Sequence, residues 1–280
     1  MFTYLKKEPD MQGIAAGQKA TGRVWTRQNL YSIRLRCLTS GGVELTRAQI
    51  LNDISDIVVR INGKTVIDCD ADFLLDLQKY YGDAVSAGNV DGNIVIPFAR
   101  RHLASFEERA VYAIGAKGVN DISIEAKVDA VAQLSKIEVF GEFDSATPRE
   151  IGTHVQIVRH NRTFGSTGIQ QLTDLPFQDK ALVGYFAKHF RFSTATVEYA
   201  TVKRDGIELF TQVAPKFMEA YLNEGLRKPQ SGYFHIDYCR NNSRFAFLPG
   251  LAQSLLVEMK WATGAPSNYV IFAETINNAL

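Results

Sequence analysis

The chain has 280 residues, 46% hydrophobic and 22% charged, enough for two ordinary globular domains with cores of their own. Its 31 Lys and Arg against 30 Asp and Glu leave a formal charge of +1, which argues against a dedicated nucleic-acid binder. Three dispersed cysteines, Cys37, Cys69 and Cys239, form neither a disulfide framework nor a CxxC zinc motif and are expected to be buried thiols in a reducing compartment.

In chain order, residues 1–20 read as an N-terminal arm outside the core: Phe2, Tyr4 and Leu5 sit beside Lys6-Lys7-Glu8, and Pro9, Gly13 and Gly17 break any regular period. The first residues lack a signal-peptide core and no stretch is long enough to span a bilayer. A soluble protein made in the cytoplasm is therefore expected, and Asn161-Arg-Thr163 and Asn241-Asn-Ser243 are taken as chance matches to the glycosylation pattern. From Leu30 to Leu38, Tyr31, Ile33, Leu35 and Cys37 alternate with a second set, a strand with period two. Leu45–Leu51 has no clear period.

Ile57–Ile61 and Lys64–Asp68 flank Asn62-Gly63, a pair suited to the positive φ angles of a type I′ hairpin. Asp70 and Asp72 suit a helix start, Leu74, Leu75 and Leu77 share one arc, and Gly82 is a stop. A loop over 83–92 leads to the strand Asn93–Phe98, whose Pro97 predicts an edge position. Arg100-Arg101-His102 reads as a solvated connection. Ala110–Ile114, Asp121–Val128 and Lys136–Phe143 read as strands, and Asp144–Gly152 as a linker.

The second half repeats the first. Val197–Val202, Asp205-Gly206 and Ile207–Phe210 form a second hairpin; Pro215 suits a first helical position; Phe217, Met218 and Tyr221 supply the apolar face; and Gly225 is the stop. Asp205, Gly206 and Gly225 each lie 143 residues after Asn62, Gly63 and Gly82. Strand-rich stretches at His154–Val158, Ala181–Phe192, Tyr233–Tyr238 and Ser254–Trp261 complete the copy. Glu125-x-Lys127 aligns with Glu258-x-Lys260, and Phe140-x-Glu142 with Phe272-x-Glu274. Many short strands with close turn signals predict an all-β chain of two tandem eight-stranded jelly-roll β-sandwiches, a double jelly roll, each with a short helix after a hairpin. The expected division is an arm at 1–20, a first sandwich at 21–147 and a second at 148–280.

No catalytic or cofactor-binding set is expected. His102, His154, His160, His189 and His235 are scattered, without HxH or HExxH, and no GxSxG, GxxxxGK[ST] or GxGxxG occurs. His235, on an alternating strand, reads as a structural histidine. Asp68, Asp70 and Asp72 are weak candidates for a structural calcium site, but helix capping is favoured, because the EF-hand Gly and Glu are missing and the second copy has Thr211, Val213 and Pro215 there. Arg100-Arg101-His102, Lys203-Arg204 and Arg240-Asn-Asn-Ser-Arg244 are short basic patches read as solvated surface.

Met11-Gln-Gly-Ile-Ala-Ala-Gly17 with the strand to Leu38, Leu172-Thr-Asp-Leu-Pro176, Gly184-Tyr-Phe-Ala-Lys-His189 and the twin hairpin–helix units resemble the double jelly-roll major capsid proteins of internal-membrane icosahedral viruses, above all the small coat protein of corticovirus-type marine phages. The likeness covers nearly the whole chain. It implies a structural coat protein rather than an enzyme, located in the virion capsid after synthesis and assembly in host cytoplasm. It also implies a homotrimer whose six barrels form a pseudo-hexameric capsomer, tiling a shell over an internal membrane in which it is not inserted. Its partners would be neighbouring capsomers and minor capsid or membrane proteins, with no specific nucleic acid. The alternatives are a carbohydrate- or receptor-binding module or spike, with Tyr80-Tyr81 as candidate surface aromatics, and a bicupin-type enzyme, against which the missing His ligands weigh.

Overall fold

The computed structural model describes residues 3–25, 27–82, 92–100, 102–103, 105–163, 168–173, 175, 182–192, 197–243, 246–250, 252–262 and 268–278. The loop expected at 83–91, Met1 and Phe2, Arg101 and Arg244 of the basic patches, and Asp174 and Pro176 lie outside the described residues. The chain divides into two compact units, Met1–Val155 and Gln156–Asn278.

The first unit carries β1 (Thr3–Lys7), β2 (Lys19–Arg23), β3 (Leu30–Leu38), α1 (Arg47–Asp53), β4 (Ile54–Ile61), β5 (Lys64–Asp70), α2 (Ala71–Tyr80), β6 (Asn93–Pro97), α3 (Phe106–Val111), β7 (Ile122–Val128) and β8 (Lys136–Asp144). Its strands form two antiparallel four-stranded orders, β1-β8-β3-β6 and β5-β4-β7-β2. Alternation builds the sandwich: Ile57, Val59 and Ile61 on β4 and Ile122, Ile124, Ala126 and Val128 on β7 are fully buried, while the residues between them face outward. Pro97 sits on β6, at an edge, where its missing N–H breaks no ladder.

The second unit takes all but the first two residues of β9 (His154–Thr163) and continues through β10 (Gly168–Leu172), β11 (Leu182–Arg191), β12 (Val197–Arg204), β13 (Ile207–Val213), α4 (Pro215–Glu224), β14 (Tyr233–Asp237), the two-residue β15 (Leu248–Pro249), β16 (Leu255–Trp261) and β17 (Asn268–Asn277). Its orders are β9-β17-β11-β14 and β10-β16-β12-β13, with β15 on β11. Strand for strand, these repeat the first unit. Both hairpin turns have the same geometry, with φ of 51° and 79° at Asn62-Gly63 and 51° and 80° at Asp205-Gly206. The architecture is the double jelly roll expected from the repeat.

Several local expectations are corrected. Residues 3–20 are no free arm: β1 pairs with β8 from Thr3↔Asp144 to Lys7↔Phe140, and Met11 is buried beside Gly22. A partner strand over 130 residues away supplies the order that local sequence does not show. Leu45–Leu51 belongs largely to α1, started by a capping box in which Thr46 and Gln49 bond reciprocally. Ala110–Ile114 is not a strand; Ser105 caps α3 there, and only Ile114 makes a bridge, to Leu30. The stretch after β8 is pinned rather than slack. Asn29 Nδ2 donates to both Asp144 carboxylate oxygens at 3.0 and 3.1 Å, Arg149 N donates to Asn29 Oδ1 at 3.1 Å, and Arg149 Nη2 reaches the Ala110 and Ala113 carbonyls.

On α4, Pro215 is at the start as expected and Met218 and Leu222 are buried, but Phe217 is 68% exposed. Gly225 ends the helix by close approach: its φ is −85°, a Cβ there would meet the Arg240 carbonyl at 2.7 Å, and Leu226 carries the left-handed turn with φ of 64°.

Candidate functional site

The acidic stretch folds into local structure. Asp70 is the N-cap of α2 and accepts from Phe73 N at 2.8 Å, satisfying one of the open N–H groups of the first turn. Asp72 pairs with Arg47, which also holds Asp76 at 2.8 Å. Asp68 lies on β5 opposite Val58. Asp53, upstream, is fully buried and accepts from the N–H groups of Gln133 and Leu134 at 3.0 and 2.7 Å. The calcium candidates Asp68, Asp70 and Asp72 thus serve a strand, a cap and an ion pair. Among the described residues, no three His, Cys, Asp or Glu are grouped to hold a metal ion.

The basic patches divide. Arg100 is 1% exposed, so the solvated reading fails there; its guanidinium lies 5.7 Å from the Tyr81 ring centre, and the His102 ring stacks on Tyr81 at 4.0 Å. Tyr80 is buried and Tyr81 contacts Tyr80, Arg100 and His102, so this pair is packing rather than an open sugar platform. Lys203 pairs with Glu208 at 2.8 Å, and Arg240 lies over the Tyr221 ring at 3.5 Å.

The densest polar chemistry was not legible in the sequence. It is buried in the second unit, on β11, β14 and β17. Register sets His189 opposite His235 on one side and Phe272 on the other. Gln230 N–H donates to His235 Nε2 at 3.1 Å, so that nitrogen carries no proton. His235 Nδ1 meets His189 Nδ1 at 2.7 Å, and His189 Nε2 meets Glu274 Oε1 at 2.8 Å. One proton assignment satisfies the chain: His235 donates to His189, and His189 donates to Glu274. Burial, with His189 alongside, holds the His235 imidazole well below its usual pKa.

Next to this relay, Lys188 is fully buried. Its ammonium lies 3.8 Å from the Tyr185 ring centre and 4.8 Å from that of Tyr238, and donates to Tyr238 Oη at 3.1 Å. Burial pushes Lys188 down to about 7 and the Tyr185 and Tyr238 hydroxyls up. Arg227, also buried, donates to Asp237 Oδ2, Asn242 Oδ1 and the Cys239 carbonyl at 2.7, 2.6 and 2.7 Å. His189 and Glu274 are 0% exposed, so the relay offers no surface to a substrate and works as internal fastening. Cys37, Cys69 and Cys239 are buried free thiols, as expected, and burial pushes Cys37 up to about 12. The one sequence signal for the relay was the alignment of Phe140-x-Glu142 with Phe272-x-Glu274. In the first unit Glu142 accepts from Ser32 Oγ across the same strand pair at 2.6 Å.

Family profiles match both units: one described as viral coat protein P2 N-terminal domain over residues 5–144, and one as viral coat protein P2 C-terminal domain over 155–279. The chain belongs to the viral coat protein P2 family. It is a structural coat protein, of a capsid-protein family and not an enzyme family. Among solved structures, the major capsid protein P2 of bacteriophage PM2 superposes with a TM-score of 0.83 at 16% identity, over 100% of this chain and 98% of that one. The STIV major capsid protein gives 0.69 at 12% identity, over 99% and 97%. PBCV-1 VP54 gives 0.62 at 9% identity, over 98% and 94%. At these identities the likeness carries the fold. No curated protein sequence matches this P2-family chain significantly. Within the P2 fold, the relay, the lysine cage and the Arg227 pair are the polar fastenings of the C-terminal domain.

Proposed function

We propose that this coat protein acts as a homotrimer whose six sandwiches make a pseudo-hexameric capsomer, tiling an icosahedral virion shell over an internal membrane. The observation that carries the reading is the strand-for-strand equivalence of the two units, β5-β4-β7-β2 with β13-β12-β16-β10 and β1-β8-β3-β6 with β9-β17-β11-β14. Two like domains per chain let three chains present six like edges, a symmetry that one domain per chain reaches only with six subunits. The PM2 relative is a major capsid protein, and its fold extends over this whole chain. A formal charge of +1 suits an inner face over lipid rather than over bare genome. Among the described residues no helix is long and apolar enough to cross a membrane, which accords with a shell protein lying against lipid without insertion. Neighbouring capsomers and minor capsid or membrane proteins are the partners this reading requires, with synthesis and assembly in the host cytoplasm.

The test is the solution mass of the purified chain, by light scattering behind a sizing column. A species of three chain masses that persists on dilution is expected. A monomer at every concentration removes the capsomer reading. Tight genome binding at physiological salt removes the lipid-facing part alone.

A further inference from the structure

The two hairpin–helix units are equivalent by sequence and fold but not by exposure. In the first, Val66 and Ile67 are 0% exposed and Phe73, the third residue of α2, is 2% exposed. The matching positions are Leu209 and Phe210, 143 residues later, and Phe217, the third residue of α4, 144 residues later because the second hairpin holds one extra residue between Phe210 and Val213. Leu209 is 41% and Phe217 68% exposed, while Phe210 turns toward Tyr221 and Tyr238. Ile207, 67% exposed, replaces the solvated Lys64 of the first unit. β13 is also the last strand of its order, so its outer backbone edge is open among the described residues. A solvent-facing edge is expected to gain charge; this one keeps large apolar side chains where its counterpart buries them.

The first unit offers a complementary surface. Beside the edge strands β1 and β2 lies a groove of about 790 Å³ lined by Tyr4, Lys6, Trp25, Arg27, Asn120 and Phe143. Trp25 is 56% exposed and also borders a second hollow of about 480 Å³ that runs past Pro9 and Arg23. Leu5 on β1 is 56% exposed. Lys6 is paired with Glu8 at 2.9 Å and Glu224 with Arg240 at 3.6 Å within the chain, which leaves Arg27 of the groove lining to meet Glu219 of α4 across the joint.

We infer that the α4–β13 surface around Phe217 docks into the Trp25 groove of a second copy of this chain, head to tail, and that this is the joint that closes the capsomer. The inference rests on the trimer reading and adds which surfaces meet. A heterologous joint of this kind leaves one free Phe217 surface and one free Trp25 groove on any open chain of copies, and both are used only when the ring closes. Exposed aromatic anchors received by a concave site are where binding energy concentrates.

Phe217→Asp and Trp25→Asp test it. Both positions are exposed, so each variant folds, as checked by circular dichroism and urea unfolding; Ile207→Asp repeats the test on β13. Each variant alone is expected to lose the trimer, with association weakened at least about 30-fold, the change set by losing a hot-spot side chain. An equimolar mixture of the two is expected to give a dimer and no trimer, because the Phe217→Asp chain still offers its groove and the Trp25→Asp chain still offers its Phe217. A wild-type trimer with both variants equally trimeric overturns the joint and leaves the capsomer standing. A mixture no heavier than its components overturns the joint as well. A wild-type monomer overturns both.

Discussion

Lys188 supports a quantitative prediction. A buried lysine that titrates near 7 stays half-charged or neutral at a pH where the unfolded chain carries the full charge. The folded pKa lies below the ordinary 10.5, so between about 7 and 10.5 the unfolded state binds more protons and stability rises with pH. Below 7 the whole penalty applies. A fall from 10.5 to about 7, at 1.36 kcal/mol for each tenfold change in proton affinity, amounts to about 5 kcal/mol. The Tyr185 and Tyr238 ring faces attract the ammonium, so this figure is an upper bound. Replacing Lys188 by Met keeps the volume and removes the charge, but leaves Tyr238 Oη without its Lys188 donor, a loss of about 1–2 kcal/mol. The net expectation for Lys188→Met at pH 7 is a gain of about 3 kcal/mol, the difference between those two figures. The assay is urea unfolding of wild type and variant at pH 7 and pH 10, following the second unit. Taking the difference between the two proteins cancels every group they share. The variant's advantage should shrink by more than half at the higher pH. An advantage that is equal at both values, or a variant less stable at pH 7, refutes the reasoning.

Three further outcomes follow from the same geometry. His235 is held neutral in the fold, so wild-type stability should fall as pH drops below 6.5, by at most about 1.36 kcal/mol per pH unit for this one proton, and His235→Gln should flatten that slope in acid urea titrations; identical slopes refute it. Arg227→Met strands a buried Asp237 carboxylate and should cost about 3–5 kcal/mol in urea unfolding, with a loss below 1 contradicting the pairing. Asp70→Ala removes the α2 cap and should cost about 1 kcal/mol, equally with added calcium and with chelator; a loss seen only with calcium would restore the metal reading.

Much of the architecture was legible because it is written in short-range patterns. Alternation along β3, β4, β7, β8 and β16 follows from successive side chains pointing to opposite faces, and Asn62-Gly63 and Asp205-Gly206 mark hairpins because those residues accept positive φ. A fixed spacing between two such turns exposes a duplication without any knowledge of packing. The capping role of Asp70 is equally local, since donor and acceptor are three residues apart.

Tertiary structure decided the rest, because the deciding partners are distant in sequence. Thr3–Lys7 is ordered only by β8, and Arg100 is buried against Tyr81, which no reading of a charged tripeptide anticipates. His189, His235 and Glu274 form no motif along the chain and become one relay only through the registers of β11 with β14 and β17. Phe73 and Phe217 are each the third residue of the matching helix, one buried and one open to solvent. Local sequence sets which residues are apolar and which face of a strand or helix they share; whether another surface covers that face depends on the elements the fold brings to it.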